Sequence, residues 1–296
     1  MTTPTQHASQ ALPTNVGRWG DDDERGTLNL VTEEVRARAV QEARTGRTVS
    51  LAYPLRPTPL IAGPTPPMGG SVAVQQAMMF TGSPSVAMAE LLITTTHHPQ
   101  VTHIDALTHT IVDGNVYPDA PLASRVNAAG VSLGSTSIFS QGVVTRGVLL
   151  DLAPDGPLPV HYGVTAADLD AAAQRGGVEV LPGDAIVVHG GWDTSQDIGG
   201  KFPGMTVDAV SWMHRHDVSV YLGDIRDARP TQDEGIPSPL HRVGIARLGM
   251  PLVDSANPTE LVTACREEGR NSFMLVIAPQ RLDGATGLPV NPIAIF

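Results

Sequence analysis

Cysteine is almost absent from the sequence, in which Cys265 is the single thiol. One cysteine cannot form an internal disulfide or a zinc site made of several cysteines, so neither feature holds the fold together. Its setting, LVTACREEGR, is typical of the end of a helix. We expect a buried, inert thiol rather than a nucleophile.

Basic charge and aromatic side chains are also scarce. The 19 lysines and arginines are outnumbered by 30 acidic residues, which gives a net charge of −11, and aromatic residues make up 4% of the chain. A nucleic-acid binder needs a basic surface that displaces counterions from phosphates. The composition therefore excludes a nucleic-acid partner and favours a small-molecule substrate.

Long apolar runs are missing as well. No stretch reaches the ~18 residues that a membrane span needs, and the N-terminus, MTTPTQHASQALPTN, lacks the basic and apolar regions of a secretory signal. We therefore expect a cytoplasmic protein without a membrane partner. Residues 1–17 are interpreted as a mobile N-terminal arm and residues 18–296 as a single catalytic domain.

The hydrophobic pattern is mostly that of strands and loops in the first half, whereas strands and helices alternate in the second. This order predicts an α/β or α+β protein with a mixed sheet and packed helices. Thr32 is expected to cap a first helix that ends at Gly46, and a second helix covers residues 165–175. Further helices are predicted in TVDAVSWMHRHD, PLHRVGIARLG and TELVTACREEG. Strands are predicted in TVSLAYPL, SVAVQQAMMF, VAMAELLITTTHH, GVVTRGVLLDL, DAIVVHGG, VSVYLGD and SFMLVIAP.

Two segments are candidates for the walls of a binding pocket. Residues 57–70 are rich in proline and glycine without an apolar period, which predicts a long loop that acts as a lid or a binding wall. The methionine-rich run QQAMMFTGSPSVAM can line an apolar pocket or pack in the core, and both interpretations stay open.

The segment TTTHHPQVTHIDALTHTIVDGNVY concentrates the chemistry, since it holds His97, His98, His103 and His109 together with Asp105. Residues two apart in a strand share a face, so His103 and Asp105 project together. Imidazole and carboxylate on one face suit zinc or manganese. His109 follows a short bend and can return over the same face as a third ligand or a general base.

The run THIDALTH is similar to the signature of the cyclase superfamily, which includes bacterial kynurenine formamidases, isatin hydrolase and polyketide ring cyclases. RWGDDDERGTLNL resembles the N-terminal motif of the longer members of about 300 residues. Further agreement lies in GVVTRGVLLDL, LPGDAIVVHGGW and GLPVNPIAIF. The resemblance extends from about residue 18 to the C-terminus.

This resemblance implies a swivelling β/β/α-type fold, assembly into a homodimer or homotetramer, and a divalent metal. It places His103 and Asp105 as metal ligands, His109 as acid/base, and His241 and Asp254 at a second metal position.

One departure concerns the upstream ligand. Compact family members carry a histidine at the position of Pro99, and proline cannot bind a metal. The longer members point to His97 instead, with His98 as the rival. A second departure is that Asp254 stands where a glutamate is usual, and its shorter side chain reaches less far.

The function that follows is a metal-dependent hydrolase acting on an amide, imide or lactam C–N bond of a small or aromatic metabolite. A divalent metal lowers the pKa of its water toward ~7, which supplies hydroxide as the nucleophile, while His109 transfers the proton. No G-x-S-x-G motif of a serine hydrolase is present. Two alternatives remain: a polyketide-type ring cyclase using the same site, with or without metal, and a non-catalytic binding protein.

Four residues are candidates for substrate contact. They are Trp19 in its acidic, glycine-containing motif, His98, His189 at the end of DAIVVHGG, and Asp224 at the end of VSVYLGD. The glycine pair after His189 permits close approach of the backbone to a ligand. Open α/β sheets bind ligands beyond the carboxyl ends of their strands, which favours Asp224. The charge run at residues 21–24 is interpreted as an exposed turn.

Overall fold

A nine-stranded mixed sheet forms the centre of the molecule. The computed structural model describes residues 12–60, 72–193 and 200–296. The described strands, in chain order, are β1 Thr48–Ser50, β2 Thr58–Pro59, β3 Val74–Thr81, β4 Ala87–Thr94, β5 His103–Asp105, β6 Asn115–Val116, β7 Ala120–Pro121, β8 Val126–Asn127, β9 Gly130–Val131, β10 Val143–Asp151, β11 Gly163–Val164, β12 Ala185–His189, β13 Gly204–Met205, β14 Val220–Gly223, β15 Arg226–Asp227, β16 Leu252–Asp254, β17 Ser272–Ile277, β18 Gly287–Pro289 and β19 Ile293–Ile295. The described helices are α1 Glu33–Val40, α2 Ala166–Arg175, α3 Val207–Arg215 and α4 Thr259–Glu268, with 3-10 turns at Gly26–Leu30, Leu122–Ser124 and Thr136–Phe139 and a π-helix at Leu240–Ile245.

The sheet combines a parallel block with antiparallel flanks, in the order β1-β19-β17-β10-β12-β14-β16-β5-β18. Strands β10, β12, β14 and β16 are parallel. Strand β17 joins one side of this block antiparallel, and β5 joins the other. The predicted α/β class with a mixed sheet is therefore confirmed.

Both faces of the sheet are buried, which is why its central strands are nearly continuous apolar runs. Successive residues of a strand enter different cores. Leu149 of β10 and Val187 of β12 belong to one cluster, whereas their neighbours Val148 and Ile186 belong to the other. Helices α1 and α4 cover the first face, and α2, α3 and the π-helix cover the second. Cys265 of α4 is buried, and burial raises the pKa of its thiol to about 12, as expected of an inert cysteine.

Two predicted helices differ from the structure. Helix α1 begins after Thr32, whose side chain accepts a hydrogen bond from the Val35 amide, but it ends at Val40 rather than at Gly46. The chain leaves the helix there because Glu42 turns inward to meet Arg146, which is buried, and Arg270, which is partly buried. The segment PLHRVGIARLG forms a π-helix rather than an α-helix.

The N-terminal motif is docked on the body. Gly26 adopts a positive φ of 53° and lies so close to Gly249 that a β-carbon would collide with the Gly249 carbonyl. The carboxylate of Asp23 accepts hydrogen bonds from the Gly26 amide at 2.8 Å, from Asn29 at 2.7 Å and from the Tyr117 hydroxyl at 2.8 Å. The charge run at residues 21–24 is thus more than the exposed turn that we expected.

The predicted mobile arm, residues 1–17, is only partly within the described ranges, because residues 1–11 lie outside them. Asn15 is buried. Its backbone amide donates to the Arg247 carbonyl, and its side-chain amide donates to the Leu248 carbonyl. The division at residue 17 stays a prediction. Across the described ranges, no helix is long and apolar enough to cross a membrane.

A buried ion network clamps α1 and the following turn onto the sheet. Arg146 on β10 lies 2.7 Å from Asp184 and 3.1 Å from Glu42. Arg270 binds Glu42 at 2.7 Å, and Arg38 of α1 binds Asp184 at 3.0 Å. Burial raises the pKa of Asp184 even though both arginines oppose that rise. The arginines of this network therefore compensate the buried carboxylates of Glu42 and Asp184, whose burial without a partner would destabilise the fold.

Replacing Arg146 with methionine should strongly destabilise the fold, because it leaves two buried carboxylates short of a partner. We expect Arg146→Met to lower the free energy of unfolding by about 3–5 kcal/mol in urea titrations. Arg44→Met is the matched control, since Arg44 is exposed and reaches the same Glu42 at 3.4 Å. It should change stability by no more than ~1 kcal/mol. Equal losses in the two variants would contradict the assigned role of Arg146.

Candidate metal centre

Strand β5 places His103 and Asp105 on one face of the sheet. It is paired on both sides, with β16 and with β18, so its position is fixed by two ladders. Ile104 turns the other way and is fully buried in the core. On the neighbouring strand, Asp254 is the direct partner of His103. Opposed residues share a face, so the Asp254 carboxylate joins the same site.

Asp105 lies at the centre of a ring of imidazoles. Its carboxylate is fully buried, and neither oxygen accepts a hydrogen bond. Instead the oxygens face ring nitrogens of His97 at 2.9 Å, His103 at 3.5 Å, His241 at 3.8 Å and His109 at 4.0 Å. A buried carboxylate without donors is costly unless a cation or a proton compensates it.

The donor atoms form two overlapping triads that share Asp105. One contains His97 and His103, and the other contains His109 and His241, with all donor atoms of each triad within 4.8 Å of one another. Imidazole nitrogen and carboxylate oxygen are ligands that zinc and manganese accept. The buried unpartnered oxygens of Asp105 therefore fit a divalent metal, and the two triads could hold one.

Asp254 extends the second triad. Its Oδ2 lies 3.5 Å from Nε2 of His241, and its Oδ1 is buried without a hydrogen-bond partner. The shorter side chain thus still reaches the imidazole, because β16 places it beside β5.

Groups behind the site orient three of the imidazoles. Nδ1 of His103 lies 2.7 Å from the Val101 carbonyl, and Nδ1 of His241 lies 2.6 Å from Oδ2 of Asp227. A carbonyl can only accept a hydrogen bond, so Nδ1 of His103 must carry a proton. The Asp227 carboxylate likewise favours a protonated Nδ1 on His241. In both rings Nε2 is then left facing the site, as in metal-binding histidines. His97 is turned the other way, with Nε2 on the Thr286 hydroxyl at 3.0 Å and Nδ1 toward Asp105.

His97, and not His98, faces the site. The His97 ring stacks on His109 with centroids 3.9 Å apart and meets His103 edge-on at 5.1 Å. His98 turns into its own loop, where Nδ1 accepts a hydrogen bond from the Gln100 amide at 3.1 Å. Pro99 is held in this loop by the Ser255 hydroxyl, which donates to its carbonyl at 2.8 Å. The turn thereby brings a histidine from two positions upstream into the ring.

The site's own charges shift the pKa values of its histidines in opposite directions. Burial lowers the pKa of His109 to about 4, against the opposing effect of the Asp105 carboxylate. Burial also acts to lower the pKa of His241, but the carboxylates of Asp227 and Asp254 outweigh it and raise that pKa well above its usual value. For Asp254, burial acts to raise the pKa, and the adjacent His241 reverses this and lowers it.

The other predicted substrate contacts are engaged elsewhere. His189 binds Asp151 on the neighbouring strand at 2.7 Å, and Asp224 accepts from the amides of Gly190 and Trp192 at 2.7 and 3.0 Å. Trp19 is half-buried under the guanidinium of Arg18, 4.8 Å from its ring centroid. None of these contacts joins them to the ring of imidazoles, and their roles toward a substrate stay predictions.

Sequence reasoning missed the supporting groups. Asp227 follows Asp224 by three residues and gave no separate signal, although its Oδ1 also accepts the Leu240 amide at 2.6 Å and so fixes the start of the π-helix. Thr286 lies far along the chain, directly before the segment GLPVNPIAIF, which was singled out only for its family resemblance. Neither contact is local, so neither could be found from spacing.

Asp224 generates a pH prediction. Burial raises its pKa from 3.8 to about 6. Between about pH 4 and 6 the folded protein keeps a proton that the unfolded chain has lost, so stability falls as pH rises through this window. Between pH 4 and 7 the unfolding free energy of the wild type should fall by on the order of 3 kcal/mol relative to that of Asp224→Asn. The measurement is the unfolding free energy of both proteins across this pH range. A difference that does not change with pH would refute the shift.

Comparison with known proteins places this chain in a family. A family model described as "Putative cyclase" matches residues 49–227. A crystal structure described as a novel cyclase is 27% identical, with a TM-score of 0.82 over 98% of this chain and 99% of that one.

Two isatin hydrolases share the fold at lower identity. Isatin hydrolase A from Labrenzia aggregata, bound to benzyl benzoate, is 16% identical with a TM-score of 0.61, covering 90% of this chain and 98% of that one. An isatin hydrolase bound to the product analogue thioisatinate is 18% identical with a TM-score of 0.62, covering 88% and 95%. No curated protein matches the chain. The resemblance in THIDALTH is thus confirmed, and the chain belongs to the cyclase family.

Proposed function

We propose that this protein is a metal-dependent hydrolase that cleaves an amide, imide or lactam C–N bond of a small or aromatic metabolite, with zinc or manganese as the metal. One observation carries the proposal. The fully buried Asp105 points two unpartnered oxygens at four imidazoles, an arrangement that a divalent cation completes.

His97, His103 and Asp105 would hold the metal, and His241 with Asp254 would serve a second position that shares Asp105. A bound divalent ion supplies Lewis acidity and lowers the pKa of water toward ~7. The Val101 carbonyl and Asp227 keep the rings of His103 and His241 turned toward the site. This orientation is what metal-binding imidazoles require.

His109 is placed to move the proton. Its side chain is 25% exposed, against 4% for His103 and 0% for Asp105, so it stands at the open side of the site. Stacking on His97 holds its ring, and Nε2 faces the centre. A positioned imidazole can take a proton from the attacking water and return it to the leaving nitrogen.

The local charge favours an uncharged substrate. Asp105, Asp227 and Asp254 bring three carboxylates to the site, and the chain carries a net charge of −11. Two divalent ions would offset the local charge but not the field of the whole chain. Neutral amides, imides and lactams therefore fit better than polyanionic substrates.

Ring closure is the second candidate. The 27% identical structure described as a novel cyclase favours it. The same residues could serve it, with His109 removing a proton next to a carbonyl. A binding protein without catalysis is the third reading. Products distinguish the three, because hydrolysis adds water to the substrate and ring closure does not.

The test uses protein purified without chelator, its metal content, and a panel of lactams, imides and N-acyl anilines in ¹⁸O-labelled water. We expect stoichiometric zinc or manganese and one ¹⁸O atom in the carboxylate product. His103→Ala and Asp105→Asn should reduce turnover by at least ~100-fold and release the metal. Full activity in these two variants would place the site elsewhere.

His97→Ala and His98→Ala form a matched pair of neighbouring histidines. His97→Ala should weaken metal affinity by ~10–100-fold or more, because its imidazole faces Asp105, whereas His98→Ala should leave it unchanged. Competition with a chromogenic chelator measures both affinities. The reverse order would assign the ligand to His98, and unchanged affinity in both would remove the upstream ligand altogether.

Asp227 should act through His241. Asp227→Asn presents an amide in place of a carboxylate to Nδ1, which favours the tautomer whose Nε2 carries the proton and faces the site. We expect metal affinity to fall ~10–100-fold with the fold intact. Asp168→Asn is the control, because Asp168 also anchors a helix start through Thr165 but lies outside the site. Loss of metal in both variants would mean that general destabilisation, not ring orientation, is responsible.

A further inference from the structure

His97 enters the ring of imidazoles in the opposite sense from its neighbours. His103 and His241 are each held from behind by an acceptor at Nδ1, which leaves Nε2 toward the site. In His97 it is Nδ1 that faces the Asp105 carboxylate, at 2.9 Å, and this nitrogen is buried without a hydrogen-bond partner. The chain reaches His97 from the antiparallel hairpin of β3 and β4, which ends at Thr94. The groups that pack behind the ring decide its sense.

The hydroxyl of Thr286 lies behind the ring, 3.0 Å from Nε2 of His97. The backbone holds this hydroxyl in place, because the Thr286 carbonyl accepts a hydrogen bond from the Ala106 amide at 2.8 Å. The next residue, Gly287, pairs with Asp105 in the ladder of β18 with β5. The hydroxyl at one ring nitrogen and the carboxylate at the other are therefore fixed by the same pair of strands.

Gly287 lets the backbone of β18 approach the imidazole closely. A β-carbon at this position would lie 2.6 Å from Cε1 of His97 and 2.8 Å from the Ile104 carbonyl oxygen. Glycine is the residue that permits such an approach of backbone to another group. The ring also stacks on His109, with centroids 3.9 Å apart. These contacts confine the plane of the ring.

Only one orientation within this plane satisfies both polar neighbours of the ring. A half-turn about the Cβ–Cγ bond of His97 exchanges Nδ1 with Cδ2 and Nε2 with Cε1. The turned ring would place carbon atoms against the Thr286 hydroxyl and the Asp105 carboxylate, which both need polar partners when they are buried. The hydroxyl and the carboxylate together therefore select the orientation that the structure shows.

We propose that Thr286 is the positioning residue of His97 and that His97 serves the metal site through Nδ1. The proposal rests on the proposed function, which makes His97 a metal ligand. The Thr286 hydroxyl accepts a hydrogen bond from the protonated Nε2. A neutral imidazole has one protonated nitrogen and one lone pair, so this bond leaves the lone pair on Nδ1. Nδ1 and the Asp105 carboxylate then each supply one ligand atom to the same cation.

The first experiment reads the ring nitrogens of the zinc-loaded wild type, labelled with ¹⁵N-histidine, in long-range ¹H–¹⁵N spectra. We expect His97 to carry its proton on Nε2, whereas His103 and His241 carry theirs on Nδ1. Loss of signals in His97→Ala assigns the His97 ring. A His97 ring that carries its proton on Nδ1 overturns the proposal. This measurement needs no variant of Thr286 and therefore decides even where such a variant does not fold.

The second experiment removes the hydroxyl while keeping the shape of the side chain. Thr286→Val should weaken zinc affinity by ~10–100-fold, measured by competition with a chromogenic chelator. Thr286→Ser keeps a hydroxyl and should keep the wild-type affinity. In the His97→Ala background, Thr286→Val should cause no further loss, because the ring through which it acts is absent.

Thr145→Val is the matched control. The Thr145 side chain is fully buried in β10 and its hydroxyl donates to the Gly183 carbonyl at 2.6 Å, so it has no part in the ring of imidazoles. It should bind zinc as the wild type does. Unchanged affinity in folded Thr286→Val overturns the proposal, and so does an equal loss in Thr145→Val.

Neither experiment depends on turnover, which separates the two proposals. Bound zinc without hydrolysis of any substrate removes the proposed function and leaves the role of Thr286 standing. Hydrolysis together with unchanged zinc affinity in Thr286→Val does the reverse. A wild type that binds neither zinc nor manganese overturns both.

Discussion

The buried carboxylate of Asp105 is the constraint on which the rest of the site depends. It is fully buried, and neither of its oxygens accepts a hydrogen bond. Desolvating a carboxylate in this way costs several kcal/mol unless positive charge compensates it. Strand β5 is only three residues long, yet it is paired on both sides, so the carboxylate cannot swing out to water. The fold therefore holds a buried carboxylate in place and surrounds it with imidazoles that could bind a cation.

The candidate ligands come from separate elements, and each needs its own support. His241 projects from a π-helix whose start is fixed by Asp227, and the same carboxylate orients its ring. A π-helix widens the turn, and such turns recur at functional sites. Asp254 is placed in the site by the pairing register of β16 with β5. His97 arrives through a turn that compensates for Pro99. The fold topology thus brings the ring together, and only His103, Asp105 and His109 lie close together in the sequence.

This division explains what the sequence could predict. Strand alternation and helix caps are local, so the mixed sheet, the start of α1 at Thr32 and the shared face of His103 and Asp105 were all predicted correctly. The choice between His97 and His98 was not decidable, because neighbours in a turn have no fixed facing direction. The end of α1 was predicted in the wrong place because it depends on the contact of Glu42 with Arg146, a residue far away in the sequence. Composition likewise could not separate an exposed apolar hairpin from a core strand, since both have the same residue types.

The hairpin and the metal site are linked by the same length of backbone. A two-stranded hairpin is marginally stable by itself in water, and this one exposes apolar side chains on both faces. Its ordering must therefore come from its buried base and from whatever covers its faces. The base, Val74 and Gln75, is joined to Thr94 and Ile93, and the ordered strand passes through Thr95 to the turn that carries His97. Any contact that stabilises the hairpin also limits the freedom of that turn. In this chain the exposed hairpin and the upstream imidazole thus lie on one continuous stretch of backbone, although the sequence segments that encode them have unrelated compositions.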